Sequence, residues 1–132
     1  MSTESRHLSV FIDRSVADVY AFVSDPTNLP SWAPGLGGTV TQEDGAWFVD
    51  TPVGRARITF APRNDFGVLD HEVVTPSGET VYMPVRVITH GDGSEVIFTV
   101  RRQPGMTDED YQRDLDAVST DLGLLRKILA AG

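Results

Sequence analysis

The chain changes its hydrophobic period close to Pro104, and this change constrains the fold more than any other feature. Before that point, short segments of alternating apolar and polar residues are separated by turn sequences such as Asp44-Gly45 and Gly91-Asp92. After it, apolar residues recur every three to four positions to the end of the chain. Alternation predicts strands, and the longer period predicts a helix. A meander of strands and one amphipathic helix can bury their apolar faces only against each other.

The predicted C-terminal helix runs from Asp108 to Ala131. Thr107 is a suitable N-cap, and the acidic residues at the start and Arg126-Lys127 near the end match the helix dipole. Gly123 lies inside this segment and predicts either a bend or close packing. The apolar stripe of the helix consists of Tyr111, Leu115, Val118, Leu122, Leu125 and Leu129.

The rest of the chain reads as one strand, two short helical segments and a meander. His7 to Asp13 alternates as a strand, and Ser15 caps a helix from Val16 to Val23. Asp25-Pro26 ends this helix, and prolines confine residues 28–34 to a further helical turn. We therefore expect an α+β fold with a curved antiparallel sheet of about seven strands, two short helices and the long C-terminal helix, in a single domain over residues 1–132. The meander is predicted at residues 39–42, 46–50, 55–61, 67–75, 80–90 and 95–103.

The composition argues against several classes of function. Cysteine is absent, so disulfides, thiolate metal sites and cysteine nucleophiles are excluded. The net charge of −8 is unfavourable for contact with nucleic acid or anionic lipid. The N-terminus lacks the pattern of a signal peptide, and no apolar run approaches the roughly 20 residues of a membrane helix. We expect a cytoplasmic protein that neither inserts into membranes nor binds nucleic acid.

The sequence also gives no sign of a metal or a nucleotide cofactor. His7, His71 and His90 have no metal-like spacing with one another or with carboxylates. No glycine-rich phosphate loop opens a helix, and no Gly-x-Ser-x-Gly motif occurs. We expect no metal site and no cofactor.

Residues 25–34, DPTNLPSWAP, place a Leu-Pro-x-Trp segment around Trp32 directly after the first predicted helix. This segment, together with the order of elements and a glycine-containing last hairpin before the long helix, resembles the START-like (SRPBCC), or helix-grip, superfamily. The likeness is to its small bacterial members described as polyketide cyclase/dehydrase or lipid-transport proteins, and it covers nearly the whole chain. The resemblance implies a cavity between sheet and terminal helix that takes up sterols, lipids, polyketides, plant hormones or other apolar molecules.

Three titratable residues, Asp70, His71 and Glu72, interrupt an otherwise apolar strand. Alternation prevents all three from facing the same side. If residues 76–79 form a four-residue turn, His71 lies opposite Pro84 and shares a face with Tyr82 and Arg86. Asp70 and Glu72 then occupy the other face.

The length of the next hairpin loop, around Gly91-Asp92, decides which of these faces lines the cavity. A three-residue loop places Phe98 beside Arg86 and makes His71, Tyr82 and Arg86 the polar anchors of an apolar pocket. A two- or four-residue loop places Phe98 beside Val85 and brings Asp70 and Glu72 into the wall, unless a bulge switches parity. We prefer the three-residue loop.

The expected ligand contacts combine these anchors with apolar residues, each of which plain core packing would also explain. For His71 and Arg86 the alternative is an exposed position on the sheet, with Arg86 paired to a carboxylate. The expected ligand-binding residues are Trp32, His71, Tyr82, Arg86, Phe98, Tyr111, Leu115 and Val118.

Three functions fit this arrangement. The first is binding or transport of a small hydrophobic molecule of lipid, polyketide or hormone type by a monomer or homodimer. The second is a cyclase or dehydratase acting on a polyketide-like substrate, with His71 or Glu72 as the base and Arg86 as the stabilising cation; Asp70 is a further candidate base. The third is a regulatory module that binds another protein. The fold alone does not choose among them.

Overall fold

The computed structural model describes residues 4–33 and 39–131, with side chains up to residue 130. Pro34, which closes the proline-bounded segment, lies outside the described residues. Within them, a short 3₁₀ turn at Pro26–Asn28 leads directly into the second helix. The elements are β1 (Ser5–Ile12), α1 (Val16–Val23), α2 (Leu29–Trp32), β2 (Val40–Glu43), β3 (Ala46–Thr51), β4 (Gly54–Phe60), β5 (His71–Val74), β6 (Thr80–Met83), β7 (Val85–His90), β8 (Gly93–Arg101) and α3 (Asp108–Ala131).

The strands form two antiparallel sheets, one in the order β2-β3-β4-β5-β6 and the other in the order β1-β8-β7. The long strand predicted at residues 80–90 is divided at Pro84, so that β6 ends one sheet and β7 begins the other. Proline has no N–H to donate to a ladder, and its ring restricts the residue before it. The chain therefore passes from one sheet to the other at this residue.

The two sheets are joined where residues 67–70 run alongside β7. Leu69 N–H donates to the Val85 carbonyl at 2.8 Å, and Val87 N–H donates to the Gly67 carbonyl at 3.0 Å. Gly67 has φ +71°, and a Cβ atom at this position would collide with the Val87 carbonyl. Glycine is required here both by its backbone conformation and by the close approach of β7.

Both preferred hairpin registers are wrong by one residue. Val74 pairs with Thr80, and Thr75 N–H donates to the Glu79 carbonyl, so the turn has three residues and His71 lies opposite Met83.

The loop between β7 and β8 has two residues, and Val85 lies opposite Phe98, which is the alternative left open above. These two one-residue differences in hairpin register together place the odd-numbered residues of β5, β6 and β7 on the inner face, and no bulge is needed. Buried Leu69, His71, Val85 and Val87 follow this parity.

Helix α3 begins and ends at the predicted residues. Its N-cap is reciprocal, because Asp110 N–H donates to Thr107 Oγ1 at 3.0 Å and Thr107 N–H donates to Asp110 Oδ2 at 3.3 Å. At the other end, the Arg14 guanidinium donates to the Leu129 carbonyl at 3.0 Å. Gly123 faces open space, so it does not serve close packing.

The helix packs against β1, β8 and α2, which is the expected helix-grip arrangement. Its buried contribution to the core comes from Tyr111, Leu115, Leu122, Leu125 and Leu129. In the part of the chain that the structure describes, no helix is long and apolar enough to cross a membrane.

Candidate ligand-binding cavity

A cavity of about 220 Å³ lies between α3, α2 and the strands β5, β6 and β8. Helix α2 contributes buried Leu29 and Trp32 to the wall. Most of the lining is apolar, with a few polar side chains among it. The apolar lining residues are Leu29, Trp32, Ala33, Val81, Met83, Phe98, Val100, Ala117 and Val118.

One wall of the cavity consists of two strand edges that do not pair with each other. The ladder between β7 and β8 ends with Thr99 N–H donating to the Pro84 carbonyl at 3.0 Å. Beyond that bond, residues 81–83 of β6 and 99–101 of β8 both line the cavity but belong to different sheets. We call the space between these two edges the slot.

His71 is the polar residue that the sheet brings deepest into the cavity wall, with only 4% of its surface exposed. Its ring lies between those of Phe60 and Phe98, with centroids 4.9 and 6.1 Å away. Nδ1 lies 3.2 Å from the Leu69 carbonyl oxygen, which can only accept, so Nδ1 carries the proton. Burial lowers the pKa of His71 below 6.5. The ring is therefore neutral at pH 7, and Nε2 is an acceptor.

Helix α3 contributes two carboxylates to the cavity, Asp114 and Asp121. They are seven residues apart, with Ala117 and Val118 between them on the same face. Burial raises the pKa of Asp121 to about 6, and burial together with Asp110 raises the pKa of Asp114. Sequence reasoning missed both residues, although their spacing from Val118, four before and three after, would have placed them beside the apolar stripe.

The indole of Trp32 lies in the cavity wall at 3% exposure. Its Nε1 is enclosed by protein atoms and has no hydrogen-bond acceptor among the described residues. A buried donor without a partner costs about 1 to 3 kcal/mol. Trp32 is thus held by apolar packing alone.

Asp70 and Arg86 meet on the opposite side of the sheet, at the junction between the two sheets. The Arg86 Nε and Nη2 atoms donate to Asp70 at 2.9 and 2.8 Å, and Tyr82 Oη donates to the same carboxylate at 2.6 Å. Asp70 also accepts from Val85 N–H at 2.9 Å. These donors, Arg86 first, hold the pKa of the Asp70 carboxyl well below its usual range. Asp70 raises the pKa of Tyr82 and of Arg86 in return.

The structure divides the predicted contact residues between the cavity and its surroundings. Arg86 lies outside the lining and is bound to Asp70, and exposed Glu72 lies outside it as well. Tyr111 is buried beside the cavity, where its hydroxyl donates to the Val100 carbonyl at 2.7 Å, and Leu115 is core. The predicted residues that line the cavity are Trp32, His71, Tyr82, Phe98 and Val118.

The fold is shared with proteins of low sequence identity. XoxI from Bacillus cereus aligns with a TM-score of 0.74 and 15% identity over 95% of this chain and 94% of that one. DynU16, a protein in the dynemicin biosynthetic locus, aligns with a TM-score of 0.71 and 14% identity over 97% of this chain and 48% of that one. Ara h 8.0201 aligns with a TM-score of 0.67 and 11% identity over 99% of this chain and 100% of that one. At these identities the comparisons establish the fold.

Sequence comparison gives a more specific assignment. No functionally curated protein matches the chain significantly. The family described as polyketide cyclase/dehydrase and lipid transport, however, matches residues 5–122, which is most of the chain and includes β1, the slot and the cavity face of α3. The chain therefore belongs to the polyketide cyclase/dehydrase and lipid transport family.

Proposed function

We propose that the chain is a single ligand-binding domain that binds or carries a small hydrophobic molecule in the cavity between α3 and the slot. The observation that carries this proposal is a largely apolar space of about 220 Å³ with a small number of polar side chains in its wall. Binding sites for small molecules combine apolar walls with a few polar groups in this way. The family description, which includes lipid transport, supports the same function.

The size of the cavity restricts the ligand. Pockets for drug-sized molecules range from about 300 to 1,000 Å³, so about 220 Å³ favours a compact molecule of one or two rings or a short chain. A larger lipid would need the slot to widen. The unpaired edges of residues 81–83 and 99–101 offer a route for this, because no ladder bond between them has to break.

A cyclase or dehydratase is the second candidate, and one observation favours it. His71 and Asp121 both line the cavity; burial raises the pKa of Asp121 to about 6, close to the range where proton transfer near neutral pH is efficient, and keeps His71 neutral with an acceptor nitrogen. The cation expected for this chemistry, Arg86, is engaged by Asp70 outside the cavity. The binding function needs no such cation and is therefore preferred.

An apolar dye whose fluorescence rises in nonpolar surroundings tests the proposed function. We expect one dye molecule per chain. Binding should be lost in Ala117→Phe, because Ala117 lines the cavity. This variant should still fold, because Ala117 is exposed and the larger side chain does not disrupt the core. Ala130→Phe, the same change at an exposed position of α3 outside the lining, is the control. Equal binding by both variants would contradict the proposed site, and native mass spectrometry of the purified protein would reveal any molecule that it retains.

A further inference from the structure

The polar groups that the cavity leaves unpaired are mainly acceptors. Nε2 of His71 has no partner among the described residues, and it is not among the fully enclosed polar atoms. Because His71 lines the cavity and Nδ1 is turned to the Leu69 carbonyl, the free acceptor is accessible from the cavity. A nearly buried ring that keeps an unsatisfied acceptor at a cavity wall indicates a ligand group that donates to it.

The second acceptor is the Asp121 carboxylate, on the opposite wall. Asp121 has no hydrogen bond or ion pair to any residue that the structure describes, and burial alone accounts for its raised pKa. Asp114 adds a further carboxylate on the same face of α3, at a more exposed position than Asp121. A half-buried carboxylate without a partner loses solvation and gains nothing in return within the folded chain.

Trp32 Nε1 is an unpaired donor in the wall, but protein atoms enclose it, and most of the other donors near the cavity are engaged elsewhere. Tyr82 Oη donates to Asp70, and the Thr99 hydroxyl is bonded to His7 Nδ1 on the outer side of the sheet. Gln103 Nε2 donates to the Arg101 carbonyl at 3.1 Å. Arg101 is among the lining residues, but its side chain is exposed, and strand alternation directs it to the face of β8 opposite buried Val100.

We propose that the ligand of this cavity carries a hydrogen-bond donor, a hydroxyl or an amine, at its polar end, and that the acceptors presented by Asp121 and His71 receive it. This inference rests on the proposed function, because it assigns the chemical class of the molecule that the apolar cavity would bind. It disfavours fatty acids and other carboxylates, whose charge would meet Asp121 and Asp114.

Four naphthalene probes of similar size test the inference by fluorescence titration at pH 7. Naphthol and naphthylmethylamine donate; the methyl ether of naphthol has no donor, and naphthoate is an anion. We expect the two donors to bind at least about tenfold more tightly than the ether, because a hydrogen bond to a charged group contributes that much or more. Naphthoate should bind most weakly.

Asp121→Leu keeps a side chain branched at Cγ but removes both acceptor oxygens. This variant should bind naphthol and its ether with affinities within about threefold of each other, whereas Asp116→Leu on the exposed side of α3 should keep the wild-type preference. Equal affinity for naphthol and ether in the wild type would overturn the inference and leave the proposed function standing. Tight binding of naphthoate would also overturn it and would implicate Arg101. Binding of none of the probes would contradict the proposed function and the inference together.

Discussion

Asp70 and Arg86 form a two-point ion pair across the junction of the two sheets, with nitrogen–oxygen distances of 2.9 and 2.8 Å. The carboxylate also receives Val85 N–H, the first backbone donor of β7 after Pro84. Asp70 therefore replaces a strand partner at the point where the sheets separate and the slot begins. Arg86, which strand alternation predicted as a ligand anchor, instead binds Asp70 and stabilises the junction of the two sheets beside the slot.

We predict that Asp70→Asn lowers the free energy of unfolding by about 2 to 4 kcal/mol, because a nearly buried carboxylate with several donors is replaced by a neutral amide. The folded-state pKa of Asp70 lies below its ordinary value of 3.8. The carboxylate therefore contributes its stability above about pH 4 and loses it as the pH falls below that value. Chemical denaturation from pH 7 to pH 2 should show the two proteins converging in acid. Glu72→Gln, at the exposed neighbour, should stay within about 0.5 kcal/mol of the wild type, and a similar loss there would contradict the role of Asp70.

Arg86→Leu separates a structural role from a ligand contact. Since the guanidinium is bound to Asp70 outside the cavity, the variant should lose about 1 to 3 kcal/mol of stability yet bind an apolar dye with affinity within about twofold of the wild type. Differential scanning fluorimetry and dye titration measure the two effects. A large loss of affinity in a protein that remains folded would return Arg86 to the binding site.

Asp121→Asn should make the unliganded protein more stable at pH 7. The pKa of Asp121 is raised from 3.8 to about 6, so the folded state loses stability as the pH rises from about 4 to about 6 and stays lower above that range. Removing the charge should raise the free energy of unfolding by about 1 to 2 kcal/mol at pH 7, after allowance for solvent screening at this half-buried position. Below pH 4 the substitution should leave the free energy of unfolding unchanged.

The other lining residues that can carry a charge, His71, Tyr82, Asp114 and Arg101, remain in both proteins during this comparison. Asp116→Asn on the exposed side of α3 should change the free energy of unfolding by less than about 0.5 kcal/mol, both at pH 7 and below pH 4. Equal stability of the wild type and Asp121→Asn at pH 7 would show that Asp121 is better solvated than its position in the cavity wall implies.

Gly67→Ala should destabilise the fold by about 2 to 4 kcal/mol. Its φ of +71° disfavours any side chain, and the added Cβ would also displace the Val87 carbonyl and the hydrogen bond from Val87 N–H. Gly105→Ala is a matched control, because its φ of +80° is similar but its Cβ would face open space. It should cost only about 1 to 2 kcal/mol. If both variants lost the same amount in thermal unfolding, the close contact between residue 67 and β7 would not matter.

The parts of the fold that depend on local sequence were predictable. Helix α1 and helix α3 have the predicted bounds, because Ser15 and Thr107 cap them and their apolar spacing is regular. The strand registers were not predictable, because turns that differ by one residue in length differ little in composition. A shift of one residue in register moves every side chain of a strand to the opposite face of the sheet. Pro84 was visible in the sequence, but its effect of dividing a strand between two sheets depends on long-range pairing.

The candidate site shows the same division. His71 was identified because a histidine in an apolar strand stands out. Arg86 was assigned to the ligand because its partner, Asp70, lies sixteen positions away and on a face that only the correct register reveals. Asp121 was overlooked because a charged residue on a long amphipathic helix ordinarily faces solvent, and only the position of the sheet makes it a cavity residue.

Backbone amide NMR with added naphthol tests directly whether the space between α3 and the slot receives a small apolar ligand. We expect saturable shifts at Val81, Val100 and Val118 with one molecule bound per chain, and little change at exposed Phe11 and Ile88 of the β1-β8-β7 sheet. Shifts confined to Phe11 and Ile88, or no saturable shift at any of these residues, would contradict the proposed function.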